Sequence, residues 1–297
     1  MQAQVTEKSM YSPTWRDYVD LMKPGIVSLL TLTSLAAMFI ATDGMPGWRI
    51  TIFTMIGGFL AAAGGSVFNC YLECDLDALM TRTRNRPLPA GRMHPSRALY
   101  FGLGISSLSI LILLIGVGWL VALLALIGIL FYVFVYTIWL KRRSMFGTFA
   151  GGVAAAIPTL VGWAAATGGL SIEALVLFAI VMYWSPTHYY SLALIRRVEY
   201  VRAGIPWLPV IQGPNKARMQ IGRYSVLMVI LTLLPVGMGL LERYYAVAAL
   251  VLGGLLVYQS VQLYLSPNSQ TAVRYYNYSL LYIALLFSAM LADRAIL

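Results

Sequence analysis

Nine apolar stretches, each close to the ~20 residues that an α-helix needs to cross a bilayer, take up most of this sequence. They run over 25–42, 51–72, 98–117, 119–140, 148–168, 171–195, 224–241, 244–264 and 275–292. Asp, Glu, Lys and Arg make up only 11% of the 297 residues, against about 25% in an ordinary soluble domain. That is too little charge to cover a water-facing surface, so lipid is the solvent this chain fits. No segment between the stretches is long enough to fold by itself. Residues 1–297 therefore read as a single membrane-embedded domain of the all-α class, a nine-helix transmembrane bundle around a central cavity.

Lys and Arg set the orientation expected for such a bundle. One set of alternating connecting segments holds 18 of the 21, and the other set has only Arg49, Arg243 and Arg294. The bias agrees with an odd number of spans and a cytoplasmic N-terminus. It also disposes of the nucleic-acid reading that a net charge of +10 invites, because the charges sit in short loops between apolar stretches. Residues 1–24 read as a short polar cytoplasmic segment ending in Lys23-Pro24, unlike a cleavable signal peptide. Cys70 and Cys74 give no disulfide framework, and without nearby histidines they make a poor zinc site; small helix-packing residues is the plainer reading. The same holds for Ala61–Ser66, Gly151-Gly152 and Gly253-Gly254, since small residues let helices approach closely in lipid. Pro158, Pro186 and Pro235 fall inside apolar stretches and are expected to bend or break them.

Eleven acidic residues occur in the chain, and three fall within five positions, Glu73, Asp75 and Asp77. On an α-helix Asn69, Glu73 and Asp77 form a polar stripe at i, i+4 and i+8, drifting only about 80°. Asp75 points the other way and reads as structural or capping. Two carboxylates and an amide suit a hard cation such as Mg²⁺, which takes one or two protein carboxylates and completes its shell with water and phosphate. Directly downstream stands Arg82-Thr83-Arg84-Asn85-Arg86-Pro87, and guanidinium groups suit polydentate phosphate binding. An acidic stripe followed at once by arginines reads as a metal–diphosphate site. The plain alternative for the arginines alone is the positive-inside bias.

Two further places stand at the same expected face. Trp184-Ser185-Pro186-Thr187-His188-Tyr189-Tyr190 closes the sixth stretch and leads to Arg196, Arg197 and Glu199. His188 is one of two histidines and lies in an apolar run, where a polar ring is a functional candidate; His94, beside Pro95, reads as a surface residue. Tyr136-Thr137-Ile138-Trp139-Leu140-Lys141-Arg142-Arg143 closes the fourth stretch. It reads as an aromatic and basic interface anchor, or as a source of basic groups for a diphosphate. Nine spans with acids near the membrane would also fit a transporter. Acids clustered at one face beside arginines, rather than at the midplane, favour chemistry on an amphiphile.

At these places the sequence resembles the UbiA superfamily of intramembrane prenyltransferases, and more closely its protohaem IX farnesyltransferase branch. The carrying motifs are the Asn69…Glu73…Asp77 stripe with its Arg-Pro loop, Asp75-Leu76-Asp77-Ala78-Leu79-Met80, and Tyr136…Leu140-Lys141-Arg142. Ala156-Ile157-Pro158, Gly162-Trp163-Ala164-Ala165, Pro186-Thr187-His188 and Ala203-Gly204-Ile205-Pro206-Trp207-Leu208-Pro209-Val210 add to them. Glu73 stands where the superfamily has an aspartate, and the proline before His188 is displaced by one position. The resemblance covers roughly Lys23 to Val210; the last three stretches match only in hydrophobic character.

The resemblance implies farnesyl transfer from farnesyl diphosphate to a vinyl group of haem b, giving haem O and diphosphate, with Mg²⁺ as cofactor. It implies that Asn69, Glu73, Asp77 and Glu199 hold metal and that Arg82, Arg86, Lys141 and Arg142 bind diphosphate. His188 then ligates the haem iron or positions a water. The setting it implies is the cell (cytoplasmic or inner) membrane, with the site towards the cytoplasm. Membrane lipid surrounds the protein, no nucleic acid is bound, and haem A synthase or a terminal oxidase is the partner downstream. A quinone or chlorin precursor is the alternative acceptor within the same superfamily.

Overall fold

A computed structural model describes residues 13–42 and 44–296 of the chain. Residues 1–12 of the expected N-terminal segment lie outside the described residues. Among those described, the structure is helical with no strand. The elements are α1 (Trp15–Met22), α2 (Pro24–Ala41), α3 (Trp48–Leu72), α4 (Cys74–Leu79), α5 (Pro95–Gly116) and α6 (Trp119–Leu130). A π-helical segment, Phe131–Leu140, continues α6 into the short α7 (Lys141–Arg143). Then follow α8 (Gly147–Thr167), α9 (Ile172–Ile195), α10 (Arg197–Arg202), α11 (Leu208–Ile211), α12 (Pro214–Gly237), α13 (Arg243–Leu265) and α14 (Ser269–Ile296).

Among the described residues, eight helical rods, counting 119–143 as one, are long and apolar enough to cross a membrane. α9, at 24 residues, is long enough but is diluted by Ser185, Thr187, His188, Ser191 and its tyrosines, so it falls outside that set. Its polar half faces protein rather than lipid, for it packs against α8, α12 and α14. Large apolar side chains stay exposed on the outer rods, among them Leu111, Ile127 and Val251. Such a belt would be an aggregation hazard in water and is the expected surface in lipid. The protein is a multi-pass membrane protein.

The two largest apolar clusters among the described residues fill most of the interior. One joins α2, α8, α9, α12, α13 and α14 around Leu177, Tyr245, Tyr282 and Phe287; the other joins α3, α5, α6 and α8 around Leu113, Ile129 and Val161. α8 belongs to both, and its glycines explain how. A Cβ at Gly152 would stand 2.6 Å from the Met182 carbonyl oxygen of α9, and one at Gly162 would collide with the Ser34 backbone of α2. Close backbone approach is what small residues provide in lipid. Gly65 and Gly151 differ, because the nearest atoms to a Cβ there are the rings of Tyr132, or of Tyr136 and Tyr189. They leave room for an aromatic wall.

Of the bend or break expected at each proline, the break does not occur. α8, α9 and α12 are assigned helical through Pro158, Pro186 and Pro235. Two starts also differ from the apolar edges. α12 begins at Pro214 and α14 at Ser269, because each helix extends beyond its apolar run in polar residues. α1 forms where the sequence reading has only a polar segment. Its Thr14 N–H bonds Asp17 Oδ2 at 2.9 Å, Arg92 Nε reaches Asp17 Oδ1 at 2.8 Å, and Leu21 is fully buried.

Candidate active site

α3 ends at Leu72, and Glu73 leaves the helical region with φ −105° and ψ 16° before α4 resumes at Cys74. The Asn69–Glu73–Asp77 stripe therefore crosses a helix junction instead of lying on one rod. The i+4 spacing survives, since Glu73 N–H bonds Asn69 O at 3.0 Å and Asp77 N–H bonds Glu73 O at 2.8 Å. All three side chains are buried and line one cavity of about 270 Å³.

Each is met by a cation from another part of the chain. Lys141 Nζ bonds Glu73 Oε2 at 2.6 Å, and Arg86 Nη1 bonds Asp77 Oδ2 at 2.7 Å. Lys23 Nζ donates to Asn69 Oδ1 at 2.7 Å, while Asn69 Nδ2 donates to Thr137 Oγ1 at 3.1 Å. Burial lowers the basicity of Arg86, but the neighbouring groups, Asp77 foremost with Glu73 behind it, together offset this and hold the guanidinium above its usual range. Lys23 is pulled below the usual lysine range, chiefly by burial. The carboxylate of Glu73 has one oxygen, Oε1, buried with no hydrogen-bond partner.

Lys23 reaches this place through an unusual backbone. It has φ 53°, the one positive value at a non-glycine among the described residues. Steric pressure from Pro24 disfavours the right-handed helical region at Lys23, so α1 stops there and α2 starts with proline in its first turn. Strained backbone of this kind collects at functional positions. In the sequence reading Lys23 counts only towards orientation; the Lys-Pro pair at the edge of the first stretch was the available signal.

The π-helical segment arranges the next wall. At 100° per residue an α-helix would put Tyr132 and Lys141 on opposite sides. With i→i+5 bonding and ~4.4 residues per turn, positions 132, 136 and 141 come close to one face. Accordingly the Tyr132 and Tyr136 rings stack at 5.3 Å, Lys141 Nζ lies 5.6 Å from the Tyr136 centroid, and all three line the cavity. A reading at the α-helical period misses this.

Aromatic side chains continue the wall. Tyr189 stands 6.5 Å from Tyr136 and 5.3 Å from Trp207, and Tyr200 lies 4.8 Å from Trp207. Trp207 is buried and its Nε1 has no hydrogen-bond partner. His188 lines the cavity too, with its ring stacked on Trp184 at 4.9 Å and on Tyr276 at 4.8 Å. Tyr276 and Ser279 come from α14, where the sequence reading singled out nothing; polar residues within an apolar stretch were the clue. Near the charged end, Leu76 and Met80 pack with Tyr200, Ile205 and Trp207, joining α4 to the α10–α11 segment.

Asn69, Glu73, Asp77, Arg82, Arg86, Lys141 and His188 are thus brought to one cavity. Two expected members are not. Glu199 does not line it: its carboxylate accepts from the Thr81 hydroxyl and from Arg196 Nη1 at 3.3 Å. The i+3 geometry of Arg196 and the approach of the loop after α4 turn the acid aside. Arg142 is absent as well, since its guanidinium takes both oxygens of Asp75, at 2.8 and 2.7 Å, and the Leu72 carbonyl at 2.7 Å. Asp75 is held below the usual carboxylate range chiefly by that bond from Arg142, a structural pairing in keeping with its opposite register. Burial pushes the Cys74 thiol up, which keeps it protonated and a poor metal ligand. His94 is exposed in the loop.

Among the described residues no group of three His, Cys, Asp or Glu side chains could enclose a metal by itself. Two carboxylates, one of them with the unpartnered oxygen of Glu73, and an amide nevertheless fit a hard cation that shares its shell with phosphate and water.

Protoheme IX farnesyltransferase of Roseiflexus castenholzii is 48% identical over 281 residues, covering 95% of this chain and 52% of that protein. The counterpart from Chloroflexus aurantiacus is 45% identical and is covered over 49% of its length. The chain thus spans about half the length of these relatives. The protoheme IX farnesyltransferase of Symbiobacterium thermophilum is 44% identical with 99% of both chains covered. Among solved structures, one of digeranylgeranylglyceryl phosphate synthase superposes with a TM-score of 0.78 at 20% identity, covering 95% of this chain and 99% of the other. A UbiA homolog from Archaeoglobus fulgidus bound to DMAPP and Mg²⁺ superposes with a TM-score of 0.64 at 17% identity, covering 93% and 99%; these two show the shared fold. Residues 30–286 match the UbiA prenyltransferase family, and the chain belongs to that family.

Proposed function

We propose that this protein transfers the farnesyl group of farnesyl diphosphate to a vinyl group of haem b, releasing diphosphate and giving haem O. The observation that carries the reading is the pairing of buried acids and cations at one end of a cavity whose walls are aromatic and include His188. The relatives named for this reaction support it, one of them along its whole length.

Glu73 pairs with Lys141 and Asp77 with Arg86, and by exchanging these partners the same side chains would hold a divalent cation on the acids and diphosphate on the cations. Glu73, Asp77 and Asn69 would hold the Mg²⁺, while Lys141, Arg86, Arg82 and Lys23 would hold phosphate oxygens. The metal supplies Lewis-acid stabilisation of the charge that grows on the leaving diphosphate, and fixed cations in a dry site add to it. As the allylic C–O bond breaks, the farnesyl cation faces Tyr132, Tyr136 and Tyr189, whose π faces stabilise positive charge while the bundle keeps water away. The vinyl group attacks, a C–C bond forms, and water adds to the remaining haem-side cation with loss of a proton. His188 ligates the haem iron or positions that water. Glu199 acts from outside the cavity, tying α10 to the loop that carries Arg82 and Arg86, so its part in metal binding is indirect.

The setting we propose is the cell (cytoplasmic or inner) membrane, with nine spans, the N-terminus and the charged cavity end on the cytoplasmic side. The bias of Lys and Arg supports this. Haem A synthase or a terminal oxidase would take up the product. Mass spectrometry of purified protein given haem b, farnesyl diphosphate and Mg²⁺ is expected to show haem O. Prenylation of a quinone or chlorin precursor instead, with haem b untouched, would overturn the acceptor assignment.

A further inference from the structure

His188 Nδ1 lies 2.9 Å from Ser279 Oγ. That hydroxyl has a single hydrogen, and it donates it to the Tyr276 carbonyl oxygen at 2.7 Å. A hydroxyl whose proton is already engaged acts towards the ring only as an acceptor, so the ring nitrogen must be the donor. Neutral His188 then carries its hydrogen on Nδ1, and Nε2 keeps a lone pair. Nε2 has no hydrogen-bond partner among the described residues, and His188 lines the cavity. The ring is also held in place by its stacking on Trp184 and Tyr276. Ser279 secures one of those neighbours through its own backbone, since Trp184 Nε1 donates to the Ser279 carbonyl at 2.7 Å. Ser279 itself is fully buried, which keeps water from replacing it as the acceptor.

We propose that Ser279 is a positioning residue that fixes His188 as the Nδ1–H tautomer and so offers Nε2 to the cavity as a lone-pair donor. A partner group that sets the tautomer of a histidine governs whether the other nitrogen can bind a metal or accept a proton. The substrate atom it serves is electron-poor: a haem iron, or the hydrogen of the water that adds to the haem-side cation. That role rests on the function proposed above; the tautomer does not.

The chain has two histidines, which makes the tautomer directly measurable by ¹⁵N NMR of histidine-labelled protein in lipid or detergent. His94 serves as an internal contrast, because its Nδ1 accepts from the Ser96 N–H at 3.2 Å and so belongs to the opposite tautomer; His94→Gln assigns the signals. The expected result is a protonated Nδ1 and a bare Nε2 at His188. Ser279→Ala should erase that preference and lower kcat roughly tenfold or more, leaving KM for farnesyl diphosphate within about twofold, and Ser279→Thr should restore both. An Nε2–H signal for His188 in the unmodified protein overturns the proposal whatever the substrate is. So does a Ser279→Ala variant with unchanged tautomer and kcat. An Nδ1–H signal that Ser279→Ala removes upholds the positioning role even if haem b proves not to be the acceptor.

Discussion

Glu73 and Asp77 sit as buried acids beside half-buried cations, with side-chain exposures of 3% and 6% against 14% for Lys141 and 19% for Arg86. Removing one member of such a pair strands the other charge, at a cost of about 3–5 kcal/mol. A test of chemistry therefore calls for Asp77→Asn, which keeps an acceptor for Arg86 while removing the charge proposed to bind metal. Turnover should fall on the order of 100-fold with the thermal midpoint lowered less than by Asp77→Ala; activity near that of the unmodified protein would remove Asp77 from the metal site. Glu199→Gln should cost less than about tenfold, because its carboxylate meets Thr81 and Arg196 instead of the cavity. A loss matching that of Asp77→Asn, together with a changed Mg²⁺ requirement, would return Glu199 to the metal. The expectation for Glu199 came from its place in a motif. Its actual partner, Thr81, is 118 residues away, and no local pattern encodes such a meeting. The same limit hid the Lys23–Asn69 bond, whereas the stripe itself was legible because i+4 spacing survives the junction at Glu73.

The long helices were legible because bilayer thickness sets their length and lipid sets their composition. Thus α2 and α8 begin and end within a residue of their apolar stretches. The π-helical segment and α1 were not legible, for different reasons. Hydropathy does not distinguish i→i+4 from i→i+5 bonding, and α1 is too short and polar to show as a span. α1 is docked in part by Asp17. Burial raises its affinity for a proton, but the bonds from Arg92 and Thr14 prevail and hold the carboxyl below its ordinary 3.8. Its folded-state value is the lower one, so its contribution is present at neutral pH and is lost as pH falls through that lowered value. Hydrogen exchange in α1 is expected to quicken below about pH 3.8 before the long rods change. Arg92→Gln should speed exchange in α1 already at neutral pH and flatten its acid dependence, and an acid dependence equal to that of the unmodified protein would exclude the pair as the cause.

At the scale of the molecule, the charged and aromatic groups share one cavity because α3, the π-helical segment, α9 and α14 converge on it from separate parts of the sequence. Lipid keeps the outside apolar, and the short segments α4 and α10–α11 bring their own apolar residues together near its charged end. That arrangement suits a substrate with a long hydrocarbon tail and an anionic head, and the release of its diphosphate is the event on which the account depends. The most direct measurement is diphosphate release from farnesyl diphosphate by the purified protein in lipid nanodiscs, with Mg²⁺ or haem b supplied or withheld. Release should require both, drop on the order of 100-fold when Mg²⁺ is chelated, and need more Mg²⁺ in Asp77→Asn. Release that continues undiminished under chelation, with the same Mg²⁺ dependence in Asp77→Asn as in the unmodified protein, would contradict a metal–diphosphate site at Glu73 and Asp77.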